Sequence, residues 1–267
     1  MSDHVVLGPH TDRYPWGTFP TAPTADWLEP LTVMAALAAV TERIRFLTGI
    51  LVAPLRPAAL LAKTVATIDV LSEGRVDLGV GVGWQPEEFG ALGVSFADRG
   101  ALLDRTIADC RTLWSGEPLD VDDGSGTGER TEVWCAPVPS QPRLPVWFSG
   151  TPGRRNLQRI VELGDGWIPI MGATVDDLVA GTSALRRALS LAGRDPDALE
   201  VRASPTLVRN GAGSVDLEAT FAQVPELIAA GATDIHLPMR PLLVDGEVAS
   251  APRALPPLVE AFQRSTR

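Results

Sequence analysis

Lysine is almost missing from this chain: of 23 basic residues only Lys63 is lysine, and the rest are arginine. Positive charge is short overall. The formal net charge of −10 excludes a partner held by its phosphate backbone, because nucleic-acid binding needs a basic surface. The two cysteines, Cys110 and Cys135, make no disulfide framework and lack metal-ligand spacing. Cys110 falls on the apolar face of a helical pattern and reads as a small core hydrophobe. No charged leader followed by an apolar stretch opens the chain, and the longest apolar run, residues 31–40, is too short to cross a bilayer. The expectation is a soluble, cytoplasmic protein with neither a membrane nor a nucleic-acid partner.

Reactive constellations are scarce too. The three histidines, His4, His10 and His236, form no histidine–carboxylate cluster suited to a metal. No Ser-His-Asp set with a glycine elbow is present. An enzyme so equipped would borrow its chemistry from a cofactor.

What the chain does have is alternation. Residues 44–52 read as a strand and residues 57–71 as a helix, with Leu61, Val65, Ile68 and Leu71 on one stripe. A strand at 76–82 precedes a helix carrying Leu103, Ile107, Cys110 and Trp114. The rhythm continues with strands at 145–149, 167–170, 199–208 and 234–237. The helices after them carry Leu157 and Ile160; Leu178, Leu185 and Leu189; Leu217, Phe221, Val224 and Leu227; and Leu255, Leu258 and Phe262. A strand stub at 5–7 and a helix at 29–41, with Pro30 in its first turn, come before these units. Regular β-α alternation predicts a parallel sheet covered by helices. The number of units favours a (β/α)8 TIM barrel lacking its first β-α unit and part of its second strand, with a doubly wound sheet as the competitor. The chain reads as a single domain over residues 1–267, with an insertion at about 115–145 that is polar and turn-rich and is expected to be a solvated loop.

Glycine is concentrated where it has consequences. Within residues 76–83, Val76, Leu78, Val80 and Val82 alternate with Asp77, Gly79, Gly81 and Gly83, giving one aliphatic face and one nearly bare face. Such glycines admit another body close to the backbone, which at the carboxyl end of a parallel strand is often a ligand; crowded core packing is the other reading. A second case is Ser149-Gly150-Thr151-Pro152-Gly153-Arg154, a glycine-rich turn into a helix, where free N–H groups, two hydroxyls and a guanidinium suit an anion. An N-capping turn without a ligand is the alternative.

Several segments in order carry a family resemblance: Asp3-His4-Val5-Val6, Thr41-Glu42-Arg43-Ile44-Arg45-Phe46, Leu71-Ser72-Glu73-Gly74-Arg75 and Gly81-Val82-Gly83-Trp84 on to Glu88-Phe89. Ala91-Leu92-Gly93-Val94, Pro145-Val146-Trp147 and Gly164-Asp165-Gly166-Trp167 complete the set. Together they resemble the luciferase-like monooxygenase superfamily, and within it the branch of F420-dependent oxidoreductases.

The resemblance implies a (β/α)8 barrel that binds the deazaflavin coenzyme F420, with FMN as the alternative, and exchanges hydride with a small organic substrate. It implies His4 as catalytic proton donor or acceptor. It places Asp3, Ile50, Leu51, Gly81, Val82, Gly83 and Trp84 at the cofactor, with a strand bulge and a cis non-proline peptide at Ile50-Leu51. Ser149, Gly150, Thr151, Gly153 and Arg154 would take the phosphate. Relatives often pair as homodimers and begin with a further strand, helix and strand, so a truncated, non-catalytic barrel is the rival expectation.

Overall fold

The structure is a computed structural model that describes residues 2–19, 21–243 and 251–266. It divides into two compact units, Met1–Gly166 and Trp167–Arg267.

In the first unit, α1 (Pro30–Ala38) starts where the Glu29 carboxylate accepts the Thr32 N–H at 2.7 Å and Pro30 supplies the preset first turn. Then come β1 (Phe46–Leu47), β2 (Leu51–Val52), α2 (Ala58–Leu71), β3 (Val76–Gly81), α3 (Pro86–Ala91), α4 (Arg99–Trp114), β4 (Leu119–Asp122), β5 (Arg130–Val133), β6 (Val146–Ser149) and α5 (Arg154–Leu163). The core stripes foreseen on α2 and α4 are buried at Leu61, Val65, Ile68, Leu103, Ile107, Cys110 and Trp114, whereas Leu71 is exposed.

Strand β3 is the hub. It pairs in parallel with β1 and β2 on one side and β6 on the other, and all six of its residues are buried. That two-sided burial is what a helix-covered parallel strand requires. Helix α4 is tied down by side chain–backbone bonds, Trp114 Nε1 donating to the Ala62 carbonyl at 3.0 Å and Arg111 to the Leu144 and Leu163 carbonyls at 2.6 and 2.8 Å.

Three expectations for this unit are corrected. Residues 44–52 are not one strand: Leu47 pairs with Asp77 but Leu51 pairs with Val80, so residues 48–50 face only residues 78–79. This is a bulge. The buried Thr48 hydroxyl bridges it, donating to the Gly79 carbonyl at 2.7 Å and accepting the Gly79 N–H at 2.9 Å, and the Gly49–Ile50 peptide is cis. Residues 5–7 form no strand, and side chains hold the backbone at either end of the segment. Glu88 accepts the Val5 N–H at 2.6 Å, and the Gln85 amide bonds both the N–H and the carbonyl of Gly8.

The insertion at 115–145 is no plain loop. Its middle is an antiparallel hairpin, β4 on β5, whose turn is closed by the Asp122, Asp123, Ser125 and Thr127 side chains bonding nearby backbone N–H groups. Finally, α3 had no counterpart in the periodicity because six residues are too few to show one.

The second unit begins inside β7 (Gly166–Ile168) and continues through α6 (Val175–Leu191), β8 (Glu200–Ala203), α7 (Leu217–Phe221), α8 (Val224–Ala229), β9 (Asp234–Ile235) and α9 (Ala251–Ser265). A capping box starts α6: Thr174 accepts the Asp177 N–H and Asp177 accepts the Thr174 N–H. Trp167 lies so close to α6 that a Cβ on Gly181 would sit 2.2 Å from its ring. Strands β8 and β9 pair in parallel, with β8 shorter than residues 199–208. The helix read across Leu217 to Leu227 is broken in two before Pro225, whose missing N–H suits only a first turn.

Candidate functional site

Parallel registers set the carboxyl ends of the first unit's strands side by side. Val52 pairs with Gly81 and Val80 with Phe148, so β2, β3 and β6 end along one edge at Val52, Gly81 and Ser149. Onto this edge comes the chain's start.

Adjacent residues there face different partners, as alternation along an extended chain requires. Asp3 is 4% exposed, and its Oδ2 accepts the Val52 N–H at 2.8 Å and Arg56 Nη1 at 2.6 Å, while Oδ1 accepts Arg56 Nη2 at 3.0 Å. Arg56 reaches on to Glu29 at 3.0 Å. Both Asp3 oxygens are therefore engaged in clamping the end of β2 to the start of α1. The guanidinium's basicity rises, since hydrogen bonds and charge attraction from Asp3 and Glu29 outweigh the burial that would lower it.

His4 takes a different carboxylate. Its Nδ1 lies 3.2 Å from Glu88 Oε2, and Glu88, on α3, is 0% exposed. The other oxygen, Oε1, accepts the Val5 N–H. The contact fixes the orientation of the imidazole and leaves Nε2 as the ring nitrogen that Glu88 does not engage.

Around the imidazole stand aromatic edges: Trp27 at 4.9 Å, Phe19 at 5.4 Å and Trp84 at 6.1 Å between centroids, each within a few degrees of perpendicular. Tyr14 closes on Phe19 and Trp84 at 5.3 and 5.2 Å. Burial pushes the Tyr14 phenol's pKa above its ordinary value.

The glycine-lined strand end resolves in favour of packing at two positions. A Cβ on Gly81 would sit 2.7 Å from Ile50 Cδ1, so Ile50 fills that bare face. At Gly83, with φ +76, a Cβ would meet Val52 and Phe89 at 2.7 and 2.9 Å. Leu51 is core, Val82 is half-buried and Trp84 joins the aromatic group. The bulge foreseen at Ile50-Leu51 spans 48–50, one residue earlier.

At the end of β6 the turn into α5 offers Ser149 and Gly150 half-buried, and Thr151, Gly153 and Arg154 exposed. Gly153 provides no side-chain cap, so the helix start lacks an internal acceptor from that residue. Within the first turn, Asn156 is only 7% exposed, yet among the described residues neither its Oδ1 nor its Nδ2 has a partner. A Cβ on Gly150 would lie 3.6 Å from that Nδ2. A buried amide with both ends unsatisfied is costly and rare, so the turn fits a ligand that both accepts and donates. Strand register alone links this turn to the His4 group.

Elsewhere, His10 lies 3.9 Å from Glu87, and His236, in the second unit, bonds Ser204 at 3.2 Å. A groove of about 660 Å³ opens between the segment after β2 and α4, lined by Leu55, Leu92, Arg105 and Asp109 among others, and holds none of the foreseen site residues. Among the described residues no group of His, Cys, Asp or Glu is suited to a metal ion, and no helix is long and apolar enough to cross a membrane.

Glu88 and Asn156 are the site residues that sequence reasoning missed. Glu88 was visible only as one of two acids after Trp84, and Asn156 as an unremarked polar residue two places after Arg154. The aromatic group had a signal that went unused: the chain's single tyrosine, two of its seven tryptophans and one of its seven phenylalanines fall within residues 14–27.

The luciferase-like monooxygenase family profile matches residues 4–215. The chain belongs to the luciferase-like monooxygenase family. An uncharacterized Mycobacterium tuberculosis protein is 35% identical over 144 residues, 53% of this chain and 49% of that one. Pyrimidine monooxygenase RutA of Allorhizobium ampelinum is 31% identical over 150 residues, 52% of this chain and 38% of that one. The chain spans about half the length of the first of these relatives.

Solved structures share the fold. Monooxygenase RslO1 from Streptomyces bottropensis superposes with a TM-score of 0.58 at 23% identity, over 89% of this chain and 65% of that one. The coenzyme F420-dependent tetrahydromethanopterin reductase from Methanopyrus kandleri gives 0.56 at 20% identity, over 74% and 60%. The FMN-bound oxygenating constituent of 3,6-diketocamphane monooxygenase from Pseudomonas putida gives 0.56 at 16% identity, over 88% and 75%. The α/β fold is that of luciferase-like TIM barrels.

Proposed function

We propose that this chain is an oxidoreductase that binds coenzyme F420 along the edge formed by β2, β3 and β6 and exchanges hydride with a small organic substrate. The observation that carries it is the His4–Glu88 pair, a proton-handling group fixed by a fully buried carboxylate and ringed by aromatic edges at the strand ends. A protein that moves a hydride also needs a proton source or sink beside the substrate.

The residues present fit a coenzyme of this kind. Asn156 and the start of α5 would hold its phosphate arm, with Nδ2 able to donate to a phosphate oxygen and Oδ1 able to accept from a hydroxyl, groups that a polyol phosphate supplies together. Ser149 and Thr151 add hydroxyl donors there. When bound, the deazaflavin ring supplies a two-electron hydride. The chain's own work is to orient, to exclude water and to hold a proton. Asp3 and Arg56 lock the end of β2, so the bulge carrying Ile50 keeps its place against Gly81. Glu88 holds His4 with Nε2 as the exchanging nitrogen. The aromatic edges keep water from the imidazole, whose side chain is 9% exposed.

FMN is the second reading, favoured by the FMN-bound structural neighbour and by the phosphate arm such a turn would accept equally. The test is anaerobic oxidation of reduced F420 by candidate substrates, with His4→Ala alongside. The proposal expects His4→Ala to lose turnover by about 10²-fold or more while coenzyme affinity stays within a factor of about two. Unchanged turnover in His4→Ala would overturn it.

A further inference from the structure

The groove between the segment after β2 and α4 has the capacity of a small-molecule site. It holds about 660 Å³, and such sites commonly hold about 300–1,000 Å³. Leu55, Leu92 and Leu102 supply its apolar lining. Thr106, only 7% exposed, adds a hydroxyl that bonds no described residue.

Its charged lining divides into groups already engaged and groups left open. Arg56 is engaged, since Asp3 and Glu29 hold its guanidinium. Asp98, at the start of α4, is exposed and solvated. Arg105 and Asp109 stand one turn apart on α4 and attract each other, yet neither makes an ion pair or a hydrogen bond with a described residue. An arginine that precedes its acid by four residues has the weaker order for pairing within a helix. Asp109 is half-buried, and burial raises its carboxyl pKa more than the Arg105 charge lowers it, so this carboxylate is short of a counter-charge. A guest bearing only a carboxylate would suit Arg105 and repel Asp109. A guest bearing only an amine would do the reverse. A zwitterion meets both.

We propose that this groove binds a free aliphatic α-amino acid, with the carboxylate on Arg105, the ammonium on Asp109 and the side chain against Leu55, Leu92 and Leu102. An α-amino acid carries both charges on one carbon beside an apolar chain, which is the combination the lining presents. The site stands apart from the His4 group and does not rest on the oxidoreductase reading. Arg105 and Asp109 are then its specificity residues, because a guest that lacks either charge leaves one of them unmatched.

The experiment titrates the ¹⁵N-labelled 267-residue chain with L-leucine, with 4-methylpentanoate, which lacks the amine, and with 3-methylbutylamine, which lacks the carboxylate. Leucine is expected to shift backbone resonances of the groove saturably, with a Kd of about 1 mM or below, and each analogue to bind about tenfold or more weakly. Arg105→Gln and Asp109→Asn should each weaken leucine binding by about tenfold or more. If a variant does not fold, the contrast among the three probes in the unsubstituted chain decides, together with shifts confined to residues lining the groove. No saturable shift with leucine at about 10 mM, a level at which a 1 mM site would be largely filled, overturns the proposal. So does an analogue that binds as tightly as leucine, or leucine binding unchanged in both folded variants. Flavin and F420 titrations of the same sample keep the two claims separate. Leucine binding without coenzyme binding leaves this site standing and removes the redox role, and coenzyme binding without leucine binding removes this site alone.

Discussion

Glu88 Oε2 lies 3.2 Å from His4 Nδ1, and the second oxygen of the same buried carboxylate holds the Val5 N–H at 2.6 Å. One side chain thus orients the imidazole and fixes the backbone next to it. Glu88→Gln keeps the shape and removes the charge. It should lower kcat by about tenfold or more with KM for the coenzyme unchanged, because the loss falls on proton handling and not on binding. Glu88→Leu removes both acceptors and should lower unfolding stability by about 2–4 kcal/mol in denaturant titration. Equal kcat in Glu88→Gln and the parent chain would remove Glu88 from the mechanism.

Asp3 and Arg56 form the other buried link at this edge, bidentate at 2.6 and 3.0 Å. Breaking a buried pair from one side leaves the partner uncompensated. Asp3→Ala should therefore destabilise the chain by about 3–5 kcal/mol, while the double variant Asp3→Ala with Arg56→Met should recover part of that loss. Urea unfolding of the three variants measures the coupling, and strictly additive losses would show the pair to be unimportant.

Acid should weaken the same corner. At Glu29 burial pushes the pKa up, but hydrogen bonds from Thr32 and Arg56 outweigh it and hold the carboxyl below its ordinary value of 4.5. A lowered folded-state pKa contributes stability that is present above the ordinary value and lost as pH falls through the folded one. Melting temperatures of the parent chain and Glu29→Gln should differ at neutral pH and converge as the pH drops below 4.5. Because Glu29 is well exposed, solvent screening keeps the gap small. A gap that widens in acid would contradict the assignment.

The cysteines should differ in reactivity. Cys110 is 0% exposed, and burial pushes its thiol pKa up to about 12, whereas Cys135 is half-buried. An aromatic disulfide reagent at pH 8 should titrate Cys135 alone in the native chain and both cysteines only after unfolding. Rapid native modification of Cys110 would contradict its burial.

Periodic elements were legible and contact-made ones were not. Helices α2 and α4 announced themselves through Leu61, Val65, Ile107 and Cys110, because a stripe that recurs over many residues survives any local irregularity. The glycines of β3 marked a close approach correctly, yet sequence could not say that Ile50 would be the visitor at Gly81. Which body fills a gap depends on register, and here on a bulge that shifts Ile50 by one place. The false strand at 5–7 arose from a short apolar run, without knowledge that Glu88 would take the Val5 N–H and Gln85 the backbone of Gly8. Glu88 and Asn156 stayed hidden for the same reason: each owes its meaning to burial beside residues distant in the chain.

The most direct test is equilibrium titration of the purified chain with F420 and with FMN, followed by coenzyme fluorescence, beside Asn156→Leu. Saturable binding of one coenzyme in the micromolar range, weakened about tenfold or more in Asn156→Leu, is the predicted result. No change in either fluorescence at coenzyme concentrations of about 100 μM, a level at which micromolar binding would be saturated, would contradict the account.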